Sequence, residues 1–151
     1  MFEIVKGKLP PNLKHKAIER AVISFIKEIP VKGEEAGFYA QTIMAIHNAV
    51  YGGGADFWLA VGEDGEVDGY MLGHVAKEID NKLTYWLSQA WANPRVRGKE
   101  TKAWWQQIRQ KAKDYLCSHI VVVSGRDNNE AYCRFLGTGY SVYATLLKED
   151  I

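Results

Sequence analysis

The stretch from Phe57 to Ala92 limits what this chain can become more than any other. Its three apolar runs, Phe57–Val61, Val67–Ile79 and Leu83–Ala92, are separated by five and by three residues, whose turns read as Glu63-Asp64-Gly65-Glu66 and Asp80-Asn81. Turns that short, rich in Asp, Asn and Gly, close hairpins. They join antiparallel neighbours only, because a parallel return needs a crossover of a dozen residues or more. A three-stranded antiparallel meander is therefore predicted in the middle of the chain. Pro94, which has no amide hydrogen to give, ends its third strand.

On either side the apolar period changes. Phe2–Val5 alternates and predicts a short first strand. Pro10-Pro11-Asn12 interrupts the chain, and Asn12 is predicted to cap a helix over Leu13–Ile29, with Ile18, Val22, Phe25, Ile26 and Ile29 on one face and Pro30 as its stop. Glu34 and Glu35 suit the start of a second helix, whose apolar face holds Tyr39, Ile43, Ile46 and Val50 and which Gly52-Gly53-Gly54 terminates. After the meander, Lys99–Leu116 returns to helical spacing with Trp104, Ile108, Ala112, Tyr115 and Leu116 on one side. Trp104 and Trp105 are adjacent, which predicts one in the core and one partly exposed at a contact surface, for a second copy or another protein. Ile120–Val123 is a continuous β-branched run, as in a strand covered on both faces. A short helix over Asn128–Leu136 and a last strand over Tyr140–Leu147 complete the order β, α, α, β, β, β, α, β, α, β.

The chain has 151 residues, 47% of them hydrophobic and 25% charged, which fits one ordinary α/β domain over 1–151 with a real core. A net charge of +1 argues against bulk capture of nucleic acid or of an anionic membrane. No apolar run approaches the ~20 residues of a membrane span, and Met1–Lys8 is too short and polar for a secretory signal. Cys117 and Cys133 read as free thiols in a reducing compartment, so a cytoplasmic location is expected. His15 and His47 lack metal-ligand spacing, and there is no nucleophile elbow, Walker loop or dinucleotide-binding glycine fingerprint.

Three local features, set in that order of elements, resemble the GNAT N-acetyltransferase superfamily. Asp64-Gly65-Glu66-Val67-Asp68-Gly69-Tyr70 is similar to its hairpin followed by a strand glycine and an aromatic residue. The segment from Trp91 through Ala92, Asn93, Pro94, Arg95, Val96, Arg97 and Gly98 to Lys99 resembles its acetyl-CoA phosphate loop. Asn128-Asn129-Glu130-Ala131, with Phe135 and Gly139-Tyr140 beyond, is similar to its last helix. The resemblance implies a mixed central sheet with an antiparallel N-terminal meander. It also implies a splayed parallel pair formed by Leu83–Ala92 and Ile120–Ser124, and helices on both faces. It further implies acetyl-CoA as co-substrate, bound by Trp91, Ala92, Arg95, Val96, Arg97, Gly98, Lys99, Lys102, Asn128 and Phe135. A helix N-terminus with unpaired amides and a glycine before it is a natural seat for pyrophosphate. Glu78, Tyr85 and Tyr132 are the candidate catalytic groups, with His74 weighed as another base. Tyr85 and Trp91, on one strand at even spacing, are expected to face the same side and to shape an acceptor pocket or pack in the core.

Two positions depart from the family pattern. Read ungapped from Pro94, Glu100 and Lys102 stand at later glycine positions; read from Arg95, only the last small residue is lost. Either way a carboxylate lies near the phosphate cradle. Two unit charges ~4 Å apart interact by ~4 kcal/mol at a surface-like dielectric before salt screening. The plainer role for Glu100 is to stabilise its own helix N-terminus. Phe135 stands where the family usually has a tyrosine acid. The expected function is transfer of an acetyl group to a primary amine of a small molecule or protein. The alternative is a catalytically inactive GNAT-fold binding or structural protein of phage or mobile-element origin.

Overall fold

The computed structural model describes residues 1–29, 33–78 and 80–123. Five strands form one sheet in chain order: β1 (Phe2–Ile4), β2 (Asp56–Val61), β3 (Val67–Lys77), β4 (Leu83–Ala92) and β5 (His119–Val122). The first four pair antiparallel, as the short turns demand. In the first hairpin Gly65 takes a φ of 81°, a left-handed conformation that glycine alone adopts without strain. β5 lies parallel to β4, from Thr84↔His119 to Leu87↔Val122, because the chain between them crosses over through a helix. The expected neighbours are thus neighbours. From Ser88 to Ala92, β4 has no β5 partner among the described residues. The helix over Asn128–Leu136 and the strand over Tyr140–Leu147 lie outside the described residues.

Three helices cover both faces. α1 (Ala17–Lys27) and α2 (Glu35–Tyr51) take one side and α3 (Lys99–Asp114) the other. Strand alternation divides the side chains accordingly. Phe57 and Leu59 of β2 point into the core under α1 and α2, while Trp58 and Ala60 join Ile108 and Ala112 of α3. Gly69 permits the close approach of α3, since a Cβ there would lie 2.4 Å from the Trp104 ring.

Several local expectations change. α1 starts four residues later than its apolar pattern, with Lys16 rather than Asn12 at the N-cap position, in a left-handed conformation and with no side-chain cap. The residues before it spend their amides on turns, Leu13 N–H donating to Pro10 O and Ala17 N–H to Lys14 O. α3 stops at Asp114, and Leu116, at φ 61°, is 80% exposed instead of joining the apolar face. Trp104 and Trp105 are both buried, at 6% and 4% exposure. Adjacent residues lie only ~100° apart around a helix, and both rings belong to the same buried cluster as Trp58, Met71 and Ile108. The contact surface expected at this pair is therefore absent.

Candidate functional site

The loop between β4 and α3 is built before any ligand enters it. The Asn93 side chain accepts from Arg95 N–H at 3.2 Å and so caps the 3-10 turn Pro94–Val96, while Asn93 N–H donates to Asp68 O at 2.7 Å. Val96 is buried beneath the loop. Gly98 follows at φ 98° with nothing among the described residues within 4 Å of where a Cβ would stand. Its amide donates to Thr101 Oγ1 at 3.1 Å, which fixes the first turn of α3. The result is a glycine-lined opening at the N-terminus of a 16-residue helix.

The two arginines of this loop are both engaged by carboxylates. Arg95 spans Asp64 at 2.6 and 3.0 Å and Asp68 at 2.7 Å, clamping the loop to the first hairpin. These partners raise the guanidinium pKa further. The Arg95 hydrogen bond, then the Glu66 amide, hold the Asp64 carboxyl well below the usual carboxylate range. Arg97 donates from Nε to Ala92 O at 2.9 Å and pairs with Glu28 at the end of α1 at 2.5 Å. Glu100 is exposed in the first turn of α3, and Lys102 is exposed one residue past Thr101. Lys99 opens the helix.

Two β-bulges decide where the remaining groups point. Between Ala60↔Gly69 and Val61↔Val67 the extra residue is Asp68, the carboxylate that meets Arg95. Between Leu72↔Gln89 and Gly73↔Leu87 the extra residue is Ser88, whose Oγ lies 3.4 Å from Leu72 O. One inserted residue inverts the alternation beyond it. Trp91 therefore packs in the core under α1 and α2, and Tyr85 in the core under α3. The expectation that they share a side is corrected: even spacing puts two residues on one face only where no bulge intervenes.

On the α3 side, Tyr85 belongs to a buried network. Its hydroxyl donates to Asp56 Oδ2 at 2.6 Å and accepts from Trp58 Nε1 at 2.9 Å; Tyr115 donates to the same Oδ2 at 2.8 Å. Lys6 Nζ lies 3.8 Å from Asp56 Oδ1, and it also donates to Ala49 O and Ala55 O. Burial first, then the Asp56 carboxylate, raise the Tyr85 hydroxyl far above its ordinary range and that of Tyr115 to about 12. Both tyrosines are neutral donors to a carboxylate. Gly73 leaves room for this, since a Cβ there would meet the Tyr85 hydroxyl at 2.9 Å.

On the α1/α2 side, Tyr70 donates to Gln89 Oε1 at 3.0 Å and Gln89 Nε2 donates to Thr42 at 2.7 Å. Trp91 Nε1 is buried with no partner among the described residues. His74 follows the Ser88 bulge on β3, opposite Trp86 and half-buried, and alternation from Leu72 puts it on this same face. Glu78 sits in the turn at the far end of β3, where its amide donates to Lys82 O at 2.9 Å. Along the β3–β4 pair, Lys77↔Leu83 is eight residues from Gly69↔Ala92, a span of about 26 Å. Glu78 and the β4–α3 loop are thus at opposite ends of the strand pair. The structure brings together Ala92, Arg95, Val96, Arg97, Gly98 and Lys99, and leaves Glu78 and Tyr85 apart from them. Asn128, Tyr132 and Phe135 lie outside the described residues. Ser88 was missed from the sequence, because nothing in the run Leu87-Ser88-Gln89 marks a bulge. Among the described residues, no cluster of His, Cys, Asp or Glu could hold a metal ion, and no helix is long and apolar enough to cross a membrane.

No family model matches the sequence, and neither does any curated protein. Solved structures do match in fold. A structure from Pyrococcus furiosus assigned as an acetyl transferase is 17% identical, with 100% of each chain covered and a TM-score of 0.67. Glucosamine-6-phosphate N-acetyltransferase from Arabidopsis thaliana is 14% identical over 99% of each chain, at 0.60. A Clostridium acetobutylicum protein assigned as an acetyltransferase and solved with acetyl-CoA is 13% identical, covering 99% of this chain and 96% of that one, at 0.59.

Proposed function

Because the chain has the fold of the GNAT acetyltransferases, we propose that it is an acyl-CoA-dependent N-acyltransferase that passes an acetyl group to a primary amine of a small molecule or protein. The observation that carries this reading is the open, left-handed Gly98 between the part of β4, Ser88–Ala92, that has no β5 partner among the described residues and the N-terminus of α3. A helix start with a glycine before it offers backbone amides to a pyrophosphate. Trp91 Nε1 on the same strand segment, buried with no partner among the described residues, is a second sign of fit. An orphan donor of this kind costs about 1–3 kcal/mol until it meets an acceptor oxygen.

Acetyl-CoA supplies an activated acyl carbonyl. The amides of the first turn of α3 would hold its phosphates, and Lys102 would add charge from the exposed side of that turn. Arg97 contributes only by leaving Glu28, and Arg95 serves as the clamp that shapes the loop. The β4 backbone at the Ser88 bulge would border the thioester, and His74, next to that bulge on β3, would accept the amine proton as the C–N bond forms; the C–S bond breaks and coenzyme A leaves as a thiolate that solvent protonates.

Calorimetric titration with acetyl-CoA tests the seat. Gly98→Val fills the opening with a β-branched side chain at a φ of 98° and should abolish binding while far-UV circular dichroism stays unchanged. In an acetyl-CoA consumption assay over a panel of amines, His74→Ala should lower turnover by ~10²–10⁴-fold with acetyl-CoA affinity intact. A wild-type protein that fails to bind acetyl-CoA at millimolar concentration would overturn the reading.

A further inference from the structure

The two arginines of the β4–α3 loop are held differently, and the difference singles out one carboxylate. Arg95 meets Asp64 and Asp68 together, through three of its nitrogens. Arg97 has one carboxylate partner among the described residues, Glu28, which lies 2.5 Å from its Nη2, while its Nε donates to Ala92 O. The side chains of this pair are 39% and 33% exposed. An exposed pair with a single contact adds little to stability, so this one can open. Arg97 directly precedes Gly98, so an anion seated at the start of α3 lies within reach of the same guanidinium. Glu28 is the C-cap of α1, where the helix dipole is negative and a carboxylate is disfavoured without a cation beside it. Its charge is felt in the core under α1 and α2. Burial first, then Glu28, raises the hydroxyl of Tyr70, and Tyr70 donates to Gln89, the residue after the Ser88 bulge.

We propose that the Arg97–Glu28 pair is a latch: the phosphates of acetyl-CoA draw Arg97 away, and Glu28, left without its cation, becomes a subsite for a second positive charge on the acceptor amine. The inference rests on the acetyl-CoA reading and adds to it the charge of the acceptor and the order of binding. A diphosphate offers Arg97 more negative charge than one carboxylate does, at a helix end whose dipole favours anions. While Arg97 holds Glu28, an incoming ammonium must displace a guanidinium tethered beside it at high effective concentration. Once the phosphates hold Arg97, the ammonium displaces only water. Cofactor and cationic acceptor are therefore coupled, and by linkage each tightens the other by the same factor. On β4, Ser88, beside which the thioester would lie, is four residues from Ala92, whose carbonyl shares Arg97 with Glu28. That is a span of ~13 Å along the strand. The acceptor is thus an amine whose second ammonium or guanidinium group lies well away from the nitrogen that is acetylated, and long diamines should outdo short ones.

Calorimetric titration with coenzyme A, which carries the phosphates but no acyl group to lose, tests the latch. Glu28→Gln keeps the side chain's shape and removes a carboxylate from the negative end of α1, so its melting temperature should equal or exceed that of the wild type. With Arg97 released, the variant should bind coenzyme A at least ~3-fold more tightly. In the wild type, saturating coenzyme A should tighten α,ω-diaminooctane at least ~5-fold, and Glu28→Gln should remove that gain. In an acetyl-CoA consumption assay, kcat/KM for α,ω-diaminooctane should exceed those for octylamine and for α,ω-diaminobutane by at least ~10-fold, a preference that Glu28→Gln should erase. A wild type that binds no coenzyme A overturns the acetyl-CoA reading and the latch with it. Coenzyme A binding that Glu28→Gln leaves unchanged, or a diamine whose affinity coenzyme A does not alter, overturns the latch alone.

Discussion

Two carboxylate clusters stand at opposite ends of β2, and they hold the fold in different ways. Asp56, 7% exposed, accepts from two tyrosines inside the core under α3. Asp64 and Asp68 lie at the surface and meet Arg95. The buried carboxylate has exchanged water for two protein donors and a nearby lysine, so losing either side leaves polar groups with nothing to bond. The surface carboxylates keep water as an alternative, so their pairs with Arg95 set geometry more than stability.

The largest effect should come from Asp56→Ala, which leaves the hydroxyls of Tyr85 and Tyr115 without an acceptor and opens a small void. A loss of about 2–5 kcal/mol is expected in urea unfolding. A value below ~1 kcal/mol would erase the distinction between the clusters. Arg95→Ala should have a smaller effect on stability, and ~0.5 M salt should lower the wild type toward the variant, because surface pairs are screened. Its main consequence is expected in acetyl-CoA affinity, through release of the loop. The smallest effect concerns acid. Asp64 has a folded pKa below its unfolded value, so its contribution is present above about pH 4 and lost as pH falls below that. Asp64→Asn should flatten the fall in melting temperature between about pH 5 and pH 2, and an unchanged slope would mean that the Arg95 pair does not persist in solution.

The same contrast explains what could be read in advance. The hairpin turns, the meander and the helix after Pro94 are local signals, and the structure repeats them. The run Ile120–Val123 does supply β5 as far as Val122, but its residues are only partly buried, so the expected cover on both faces is corrected. The conformation of the loop between β4 and α3 was legible because it is also local: Asn93, Pro94 and Gly98 each have a conformational role their residue type announces. The partners of Arg95 and Arg97 were not legible, since Asp64, Asp68 and Glu28 come from other elements and no spacing pairs them.

What the sequence determined by itself, over the described residues, is the order and kind of the elements, because period and turn chemistry act over a few residues. The tertiary structure alone decided which side of the sheet each site residue faces. Register is a property of two strands, and the bulge at Ser88 exists only in the pairing of β4 with β3. That one unmatched residue sends Tyr85 to Asp56 and Trp91 to the opposite core.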